Sequence, residues 1–193
     1  MSEEKKQRKS SRALSRTNIW LLFCIFVIGI IIGSSFFLLD KQSIQQEAID
    51  SPTEAQQGMI DSLITATEID SKNVLLWVQL GNAYYDTAQV NLAIEAYKKA
   101  LVLNPNMPEV LVDYATMLRA NSQLDEARTA YDKALSLSKE NTLALYNKGL
   151  LLYYDIGNKA EAIATWERLV AQSPHARTPD GRLVQALLTE MKK

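Results

Sequence analysis

From residue 74 onward, a pattern of apolar and small residues recurs every 34 positions, and this period constrains the fold more than any other feature. Trp77 has its counterparts at Leu111 and Leu145, each 34 residues further along the chain. A period of this length predicts a stack of helix pairs, because one pair alone buries too little apolar surface to be stable. The predicted units span residues 74–107, 108–141 and 142–176.

Small residues recur at two positions of each unit, where neighbouring helices have to approach closely. The first position holds Gly81, Ala115 and Gly149, and the second holds Ala93, Ala127 and Ala162. An aromatic residue then fills the gap beside them, at Tyr97, Tyr131 and Trp166. The third unit contains one extra residue, which we place in its Gly157–Asn158 turn.

The first unit reads Trp77-x-x-Leu80-Gly81-x-x-Tyr84 and continues with Ala93, Tyr97, Ala100 and Pro105. This spacing resembles the tetratricopeptide repeat (TPR), a helix-turn-helix unit of 34 residues. The resemblance implies an all-α fold, in which residues 51–193 form a TPR α-solenoid of three repeats.

Further helices are predicted on either side of the repeats. Ser51, Pro52 and Glu54 fit a capping box and predict a helix start, which we interpret as the second helix of an N-terminal half-repeat. At the other end, Thr178-Pro179 opens a predicted capping helix over residues 178–192, which covers the core of the third repeat.

Residues 19–39 contain no charged side chain and predict a transmembrane helix about 31 Å long. Six basic residues precede this segment, so the positive-inside rule predicts that the tip, residues 1–18, is cytoplasmic. Residues 40–50 then form a linker, and the repeats lie across the membrane. The alternative is a cleaved signal peptide with a processing site at Gly33-Ser34-Ser35.

The composition excludes several classes of function. Residues 40–193 contain 15 basic and 20 acidic side chains, which argues against nucleic-acid binding. The only histidine is His175 and the only cysteine is Cys24, so neither a typical zinc site nor a nucleophile pair can be assembled. We therefore expect no enzyme activity, no metal and no cofactor.

Helix periodicity predicts a binding groove on the face opposite the packing face of each first helix. The predicted peptide-binding residues are Leu75, Val78, Asn82, Tyr85, Val112, Thr116, Arg119, Tyr146, Leu150 and Tyr153. The alternative for each apolar member is that it packs on a neighbouring helix. Arg119 also suits a C-terminal carboxylate. Chaperone-binding TPR domains have Lys and Asn where this chain has Val78 and Asp113, so a two-carboxylate clamp is not expected.

The whole layout resembles a narrower group within the TPR proteins. The features are one N-terminal anchor, a half-repeat ending Ile69-Asp70-Ser71-Lys72-Asn73, and Ala162-x-x-x-Trp166-x-x-Leu169 before Pro174. It is similar to the small TPR subunit of the haem lyase serving formate-dependent nitrite reductase, and to the C-terminal TPR domain of the c-type cytochrome maturation protein.

This resemblance implies a non-enzymatic adaptor that holds apocytochrome c for a haem lyase. It also implies a single-pass protein of the bacterial inner membrane with its TPR domain in the periplasm. The expected partners are therefore apocytochrome c and haem lyase subunits. The alternative is a general envelope scaffold that assembles a secretion, pilus or cell-wall complex.

Overall fold

The structure, a computed structural model, describes residues 52–178 and 180–192. Within these residues the chain forms eight α-helices, and a π-helical turn, Leu151–Asp155, extends the sixth. The helices are α1 (Glu54–Ile69), α2 (Val74–Asp86), α3 (Val90–Leu103), α4 (Pro108–Ala120), α5 (Leu124–Leu137), α6 (Thr142–Leu150), α7 (Lys159–Gln172) and α8 (Val184–Met191). The predicted all-α TPR-like solenoid is therefore confirmed.

The predicted transmembrane helix, the basic tip and the linker lie outside the described residues. Of the helices that are described, none combines the length and the apolar character needed to span a bilayer.

Side-chain caps explain where several helices begin. Thr53 caps α1 and forms a reciprocal capping box with Gln56, so this helix starts later than the predicted Ser51-Pro52-Glu54 box would place it. Asn73 and Asn141 cap the first helices of two units by accepting backbone N–H groups of Leu75 and Ala144. Each cap satisfies a donor that the helix itself leaves unpaired.

Consecutive helices pair as α2 with α3, α4 with α5, and α6 with α7, and successive pairs pack into one stack. The aromatic residues Tyr97, Tyr131 and Trp166 fill the core of the three pairs and are at most 1% exposed. A Cβ atom on Gly81 would lie 2.6 Å from the Tyr97 ring, and one on Gly149 would lie 2.1 Å from Nε1 of Trp166. An aromatic ring occupies the space of a side chain at both positions, so any larger residue would have to displace that ring.

An ion-pair network joins the second and third units. The Lys148 ammonium lies 2.7 Å from Asp132 and 3.3 Å from Glu161, and it is 11% exposed. Arg128 contacts the same Glu161 carboxylate at 2.9 Å. Because Lys148 is nearly buried, its two carboxylate partners offset the cost of removing the ammonium group from water.

The extra residue of the third unit lies inside a helix, and its predicted place in the Gly157–Asn158 turn is wrong. All three units join their helices by turns of the same length, residues 87–89, 121–123 and 156–158. The middle residues of the turns share a positive φ, at 54° for Ala88, 60° for Ser122 and 77° for Gly157. The π turn Leu151–Asp155 takes up the additional residue, with the Ile156 N–H donating to the Leu151 carbonyl at 3.0 Å.

The last helix, α8, begins at Val184, whereas the sequence predicted a helix from residue 178. Ahead of it the chain turns back on itself, with a bridge between Arg177 and Leu183 and a backbone bond from Thr178 to Arg182 of 2.8 Å. Gly181 has a φ of 85° in this turn, which disfavours continuous helix. α8 buries Val184, Leu188 and Met191 and packs against α7.

Candidate peptide-binding groove

The predicted lining residues lie on α2, on α4, and on α6 with its π turn. A hydrogen bond and an ion pair connect α4 to α6 and its π turn. The Asn147 amide donates to the Thr116 hydroxyl at 3.4 Å, and Arg119 forms an ion pair with Asp155. We call the surface formed by these first helices the groove.

Tyrosines of the second helices fix two of the predicted binding residues. The Tyr97 hydroxyl donates to Oδ1 of Asn82 at 2.8 Å. Tyr131 and Thr116 form the equivalent bond at 2.9 Å, in which Tyr131 donates because the Thr116 hydroxyl already donates to the Val112 carbonyl. Burial raises the pKa of Tyr131 to about 12, so its phenol remains a neutral donor. Asn82 and Thr116 are thereby held in one orientation.

The predicted residues differ widely in exposure. Leu75 is 68% exposed and Tyr85 is 38% exposed, and Asn82 also faces solvent. Val78, Tyr146, Leu150 and Tyr153 are half-buried and pack against the core. Val112 is only 1% exposed, so it belongs to the core and does not line the groove. These apolar side chains therefore pack on neighbouring helices with part or all of their surface, as the alternative predicts.

Arg119 is engaged within the protein. Its guanidinium pairs with the Asp155 carboxylate, and both side chains are 28% exposed. The expected contact between Arg119 and a C-terminal carboxylate would therefore require this pair to open.

A recess of about 240 Å³ opens in the groove between α2 and α4. Its lining combines one amide, two phenols and two carboxylates, from Asn82, Tyr85, Asp86, Tyr97 and Asp113. Burial, together with the nearby Glu109 and Asp86, raises the pKa of Asp113 to about 6. Asp86 and Asp113 lie outside the narrower stripe of each helix that the periodicity selects, so neither was among the predicted binding residues.

Aromatic rings cluster at the other end of the groove. The Tyr153 ring stands edge-on to Tyr154, with centroids 4.8 Å apart, and lies 6.0 Å from Trp166. Tyr146 lies 6.4 Å from Trp166, whose indole N–H donates to the Tyr146 carbonyl at 3.1 Å. Tyr154, which is 61% exposed, is the ring most available to a ligand here, and the sequence prediction omitted it.

A repeated tripeptide contains the signal that would have found Tyr154. The sequence Tyr84-Tyr85-Asp86 at the end of α2 recurs as Tyr153-Tyr154-Asp155 in the π turn. The two copies are two periods plus one residue apart, which places the extra residue before Tyr153. Tyr154 is therefore the counterpart of the predicted Tyr85, and Asp155 is the counterpart of Asp86.

The second helices form a larger cavity, of about 580 Å³, which we call the outer cavity. α3 and α5 supply most of its wall and α4 supplies the rest. It is lined by Lys98, Leu101, Val102, Leu111, Tyr114, Asp125, Glu126, Thr129, Ala130 and Lys133. Val102 is 76% exposed at this surface.

Within residues 52–178 and 180–192, no group of three or more His, Cys, Asp or Glu side chains is arranged to hold a metal ion.

Two comparisons with solved structures place the fold among TPR proteins. MamA aligns with a TM-score of 0.64 at 25% identity, covering 71% of this chain and 78% of MamA. The first TPR domain of Spaghetti (RPAP3), solved with the HSP90 peptide SRMEEVD, aligns with a TM-score of 0.55 at 20% identity. That second alignment covers 64% of this chain and 93% of the other, and it supports the fold alone.

The curated relatives include a subunit of a nitrite reductase complex. The bifunctional subunit NrfFG of the formate-dependent nitrite reductase complex of Haemophilus influenzae is 28% identical over 172 residues, which cover 76% of this chain and 44% of NrfFG. The uncharacterized protein ycf37 of Pyropia yezoensis is 32% identical, over 39% of this chain and 43% of its own length. The chain thus spans less than half the length of these relatives.

The family model for the TPR domain of cytochrome c-type biogenesis protein H matches residues 39–178. This match confirms the resemblance inferred from the sequence and supports a protein-binding adaptor role. TPR families are also generally non-catalytic. The chain belongs to the family of the cytochrome c-type biogenesis protein H TPR domain.

Proposed function

We propose that this protein is a non-enzymatic adaptor that holds apocytochrome c in its groove and presents it to a haem lyase. The family match over residues 39–178 carries this proposal. NrfFG, a subunit of a nitrite reductase complex, supports it as a relative over most of this chain.

The groove has the chemistry that a bound polypeptide needs. Asn82 presents an amide group whose oxygen accepts from the Tyr97 hydroxyl, and such a preorganised side chain loses little entropy on binding. Tyr85 and Tyr154 add exposed aromatic surface to the groove. Aromatic anchors beside fixed hydrogen-bonding groups are typical of peptide-binding surfaces.

The proposal includes membrane attachment through residues 19–39. In this arrangement residues 1–18 are cytoplasmic, residues 40–50 are the linker, and the TPR domain is periplasmic in the bacterial inner membrane. Fusions of a periplasm-dependent reporter after residue 50 and after residue 193 test it. Both fusions should be active, and an inactive reporter at both sites would overturn the topology.

The binding proposal is tested with the full-length chain and fluorescent peptides from the C-termini of apocytochromes c. Wild-type protein should bind, and Tyr85→Ala should weaken binding at least fivefold through the loss of an exposed anchor. Leu92→Ala is the matched control, because Leu92 is a comparably exposed apolar residue on α3, outside the groove. The absence of binding by wild-type protein, or equal loss in both variants, would contradict the proposal.

The outer cavity favours a second candidate, a scaffold that assembles an envelope complex through its second helices. Val102→Asp would place a charge on the apolar part of this cavity. If the scaffold function operates, this variant loses its co-purifying partners while apocytochrome binding is retained. If the scaffold function does not operate, haem-handling proteins co-purify equally with the wild-type protein and with the Val102→Asp variant.

A further inference from the structure

The recess between α2 and α4 is a negatively charged site on an otherwise neutralised groove. Asp86 and Asp113 line it, and Glu109 on the same helix as Asp113 adds to the negative field at that carboxyl. Among the described residues, none of these three carboxylates has a cation within 4.0 Å. By contrast, the acidic residues of the third unit have basic partners, as in Arg119–Asp155, Lys148–Glu161 and Lys192–Glu167.

An unpaired carboxylate that is largely removed from water raises the free energy of the protein. The raised pKa of Asp113, about 6 instead of 3.8, shows that the surroundings disfavour its charge. A cation in the recess would reverse this effect, because an opposite charge at contact distance favours the ionised form. The recess therefore complements a positive group.

The remaining lining narrows the class of ligand. The Asn82 carbonyl and the Tyr85 hydroxyl are further acceptors beside the carboxylates, and the Tyr85 ring offers a face for a cation–π contact. A volume of about 240 Å³ is smaller than the range of about 300–1,000 Å³ that is usual for drug-sized ligands, and it suits a single side chain. Phosphate groups of nucleic acids and anionic lipids would be repelled by the same carboxylates.

We propose that this recess seats a lysine or arginine side chain of the polypeptide bound in the groove. The inference rests on the proposed function, since it assumes that a polypeptide occupies the groove. The inference specifies the bound polypeptide further: it carries a basic residue whose side chain enters the recess between α2 and α4. A guanidinium group fits best, because its planar donors can engage two carboxylates together.

The test compares synthetic 15-residue peptides that differ at one central position. Arginine, lysine, citrulline or norleucine stands in an otherwise uncharged amphipathic sequence, and binding to the full-length chain is measured by fluorescence anisotropy. The arginine peptide should bind at least tenfold more tightly than the citrulline peptide. This preference should decrease as salt rises from 20 to 500 mM, because salt screens the charge contribution.

Asp86→Asn and Asp113→Asn remove the charge while keeping the shape of the side chain. Each variant should reduce the preference for arginine over citrulline at least threefold, and the double variant should abolish it. Glu140→Gln is the matched control, because it removes one exposed negative charge far along the chain from the recess. An arginine preference that is absent in wild type, or unchanged in the double variant, would overturn the proposal.

The same design separates this inference from the proposed function. If apocytochrome peptides bind equally well when their basic residues are replaced, the recess assignment fails and the adaptor function stands. If basic synthetic peptides bind in an Asp113-dependent way but no apocytochrome peptide binds, the recess assignment stands and the apocytochrome function fails.

Discussion

Gly149 and Gly58 are both helical glycines, but their surroundings differ in a way that predicts opposite effects of the same substitution. A Cβ atom on Gly149 would lie 2.1 Å from Nε1 and 2.4 Å from Cε2 of Trp166, whereas one on Gly58 would meet nothing within 4 Å. We therefore expect Gly149→Ala to destabilise the protein and Gly58→Ala to stabilise it.

The magnitudes follow from three contributions. Replacing glycine by alanine inside a helix stabilises by about 1 kcal/mol at either position. At Gly149 the ring of Trp166 has to move as well, and overpacking of this kind costs about 1–3 kcal/mol. Trp166 is 0% exposed and its indole N–H donates to the Tyr146 carbonyl, so displacing the ring also costs about 1 kcal/mol for the lost bond.

The sum predicts that Gly149→Ala lowers the free energy of unfolding by about 1–3 kcal/mol and that Gly58→Ala raises it by about 1 kcal/mol. Urea denaturation followed by circular dichroism at 222 nm measures both values. Near-ultraviolet circular dichroism gives a local readout, since a displaced Trp166 changes the signal of the indole. A Gly149→Ala protein as stable as Gly58→Ala would refute the close approach of α6 and α7.

Three further substitutions test other parts of the structure. Gly81→Ala should cost less than Gly149→Ala in urea denaturation, because the second unit already accommodates Ala115 beside Tyr131, and an equal cost would contradict this reasoning. Asp113→Asn should stabilise the protein at pH 7.5 by about 1 kcal/mol, since the full shift of the Asp113 pKa to about 6 corresponds to about 3 kcal/mol and partial solvent access reduces it. Because its pKa is raised, Asp113 binds more protons in the folded than in the unfolded state between about pH 4 and 6, so its contribution to the stability of the wild-type protein is present at pH 4 and is lost as the pH rises through 6. Asp113→Asn should remove this pH dependence of stability. A variant that keeps it would show that another group causes the dependence. Asp155→Asn should free Arg119 and increase the preference for a peptide with a C-terminal carboxylate over its amide at least threefold, while lowering stability by less than about 1 kcal/mol. An unchanged carboxylate preference in that variant would show that Arg119 does not face a bound peptide.

Sequence periodicity predicts the helix pairs and their core because both depend on steric rules that repeat. The close approach of Gly81 to Tyr97 and of Gly149 to Trp166 follows from the spacing alone, and the structure has both contacts. The start of α1 was harder to predict because two capping patterns overlap. Ser51 with Glu54 and Thr53 with Gln56 both satisfy the rule, and the choice between them depends on energies that the pattern does not contain.

The groove was predicted less completely than the core, for a physical reason. A core position is defined by volume, which the residue type reveals, whereas a groove position depends on the exact rotation of a helix. Periodicity at 100° per residue placed Val112 in the groove, although it is buried, and left out Asp113 on the same helix. In the third unit, the π turn changes the rotation and puts Tyr154 where a regular helix would put Tyr153.

The π turn also explains why the charge of the groove differs between its two ends. It brings Asp155 into the place that Asp86 occupies in the first unit, and there Asp155 meets Arg119 from the preceding helix pair. Asp86 has the same place in its own unit, but there α4 presents Asp113 to the recess, and the nearby Glu109 adds to the negative charge around it. One tripeptide, Tyr-Tyr-Asp, thus gives a neutralised aromatic end around Tyr154 and an acidic end around Tyr85. A polypeptide that fits both ends would place a basic side chain near α2 and apolar side chains near α6, and this polarity fixes the direction in which it binds.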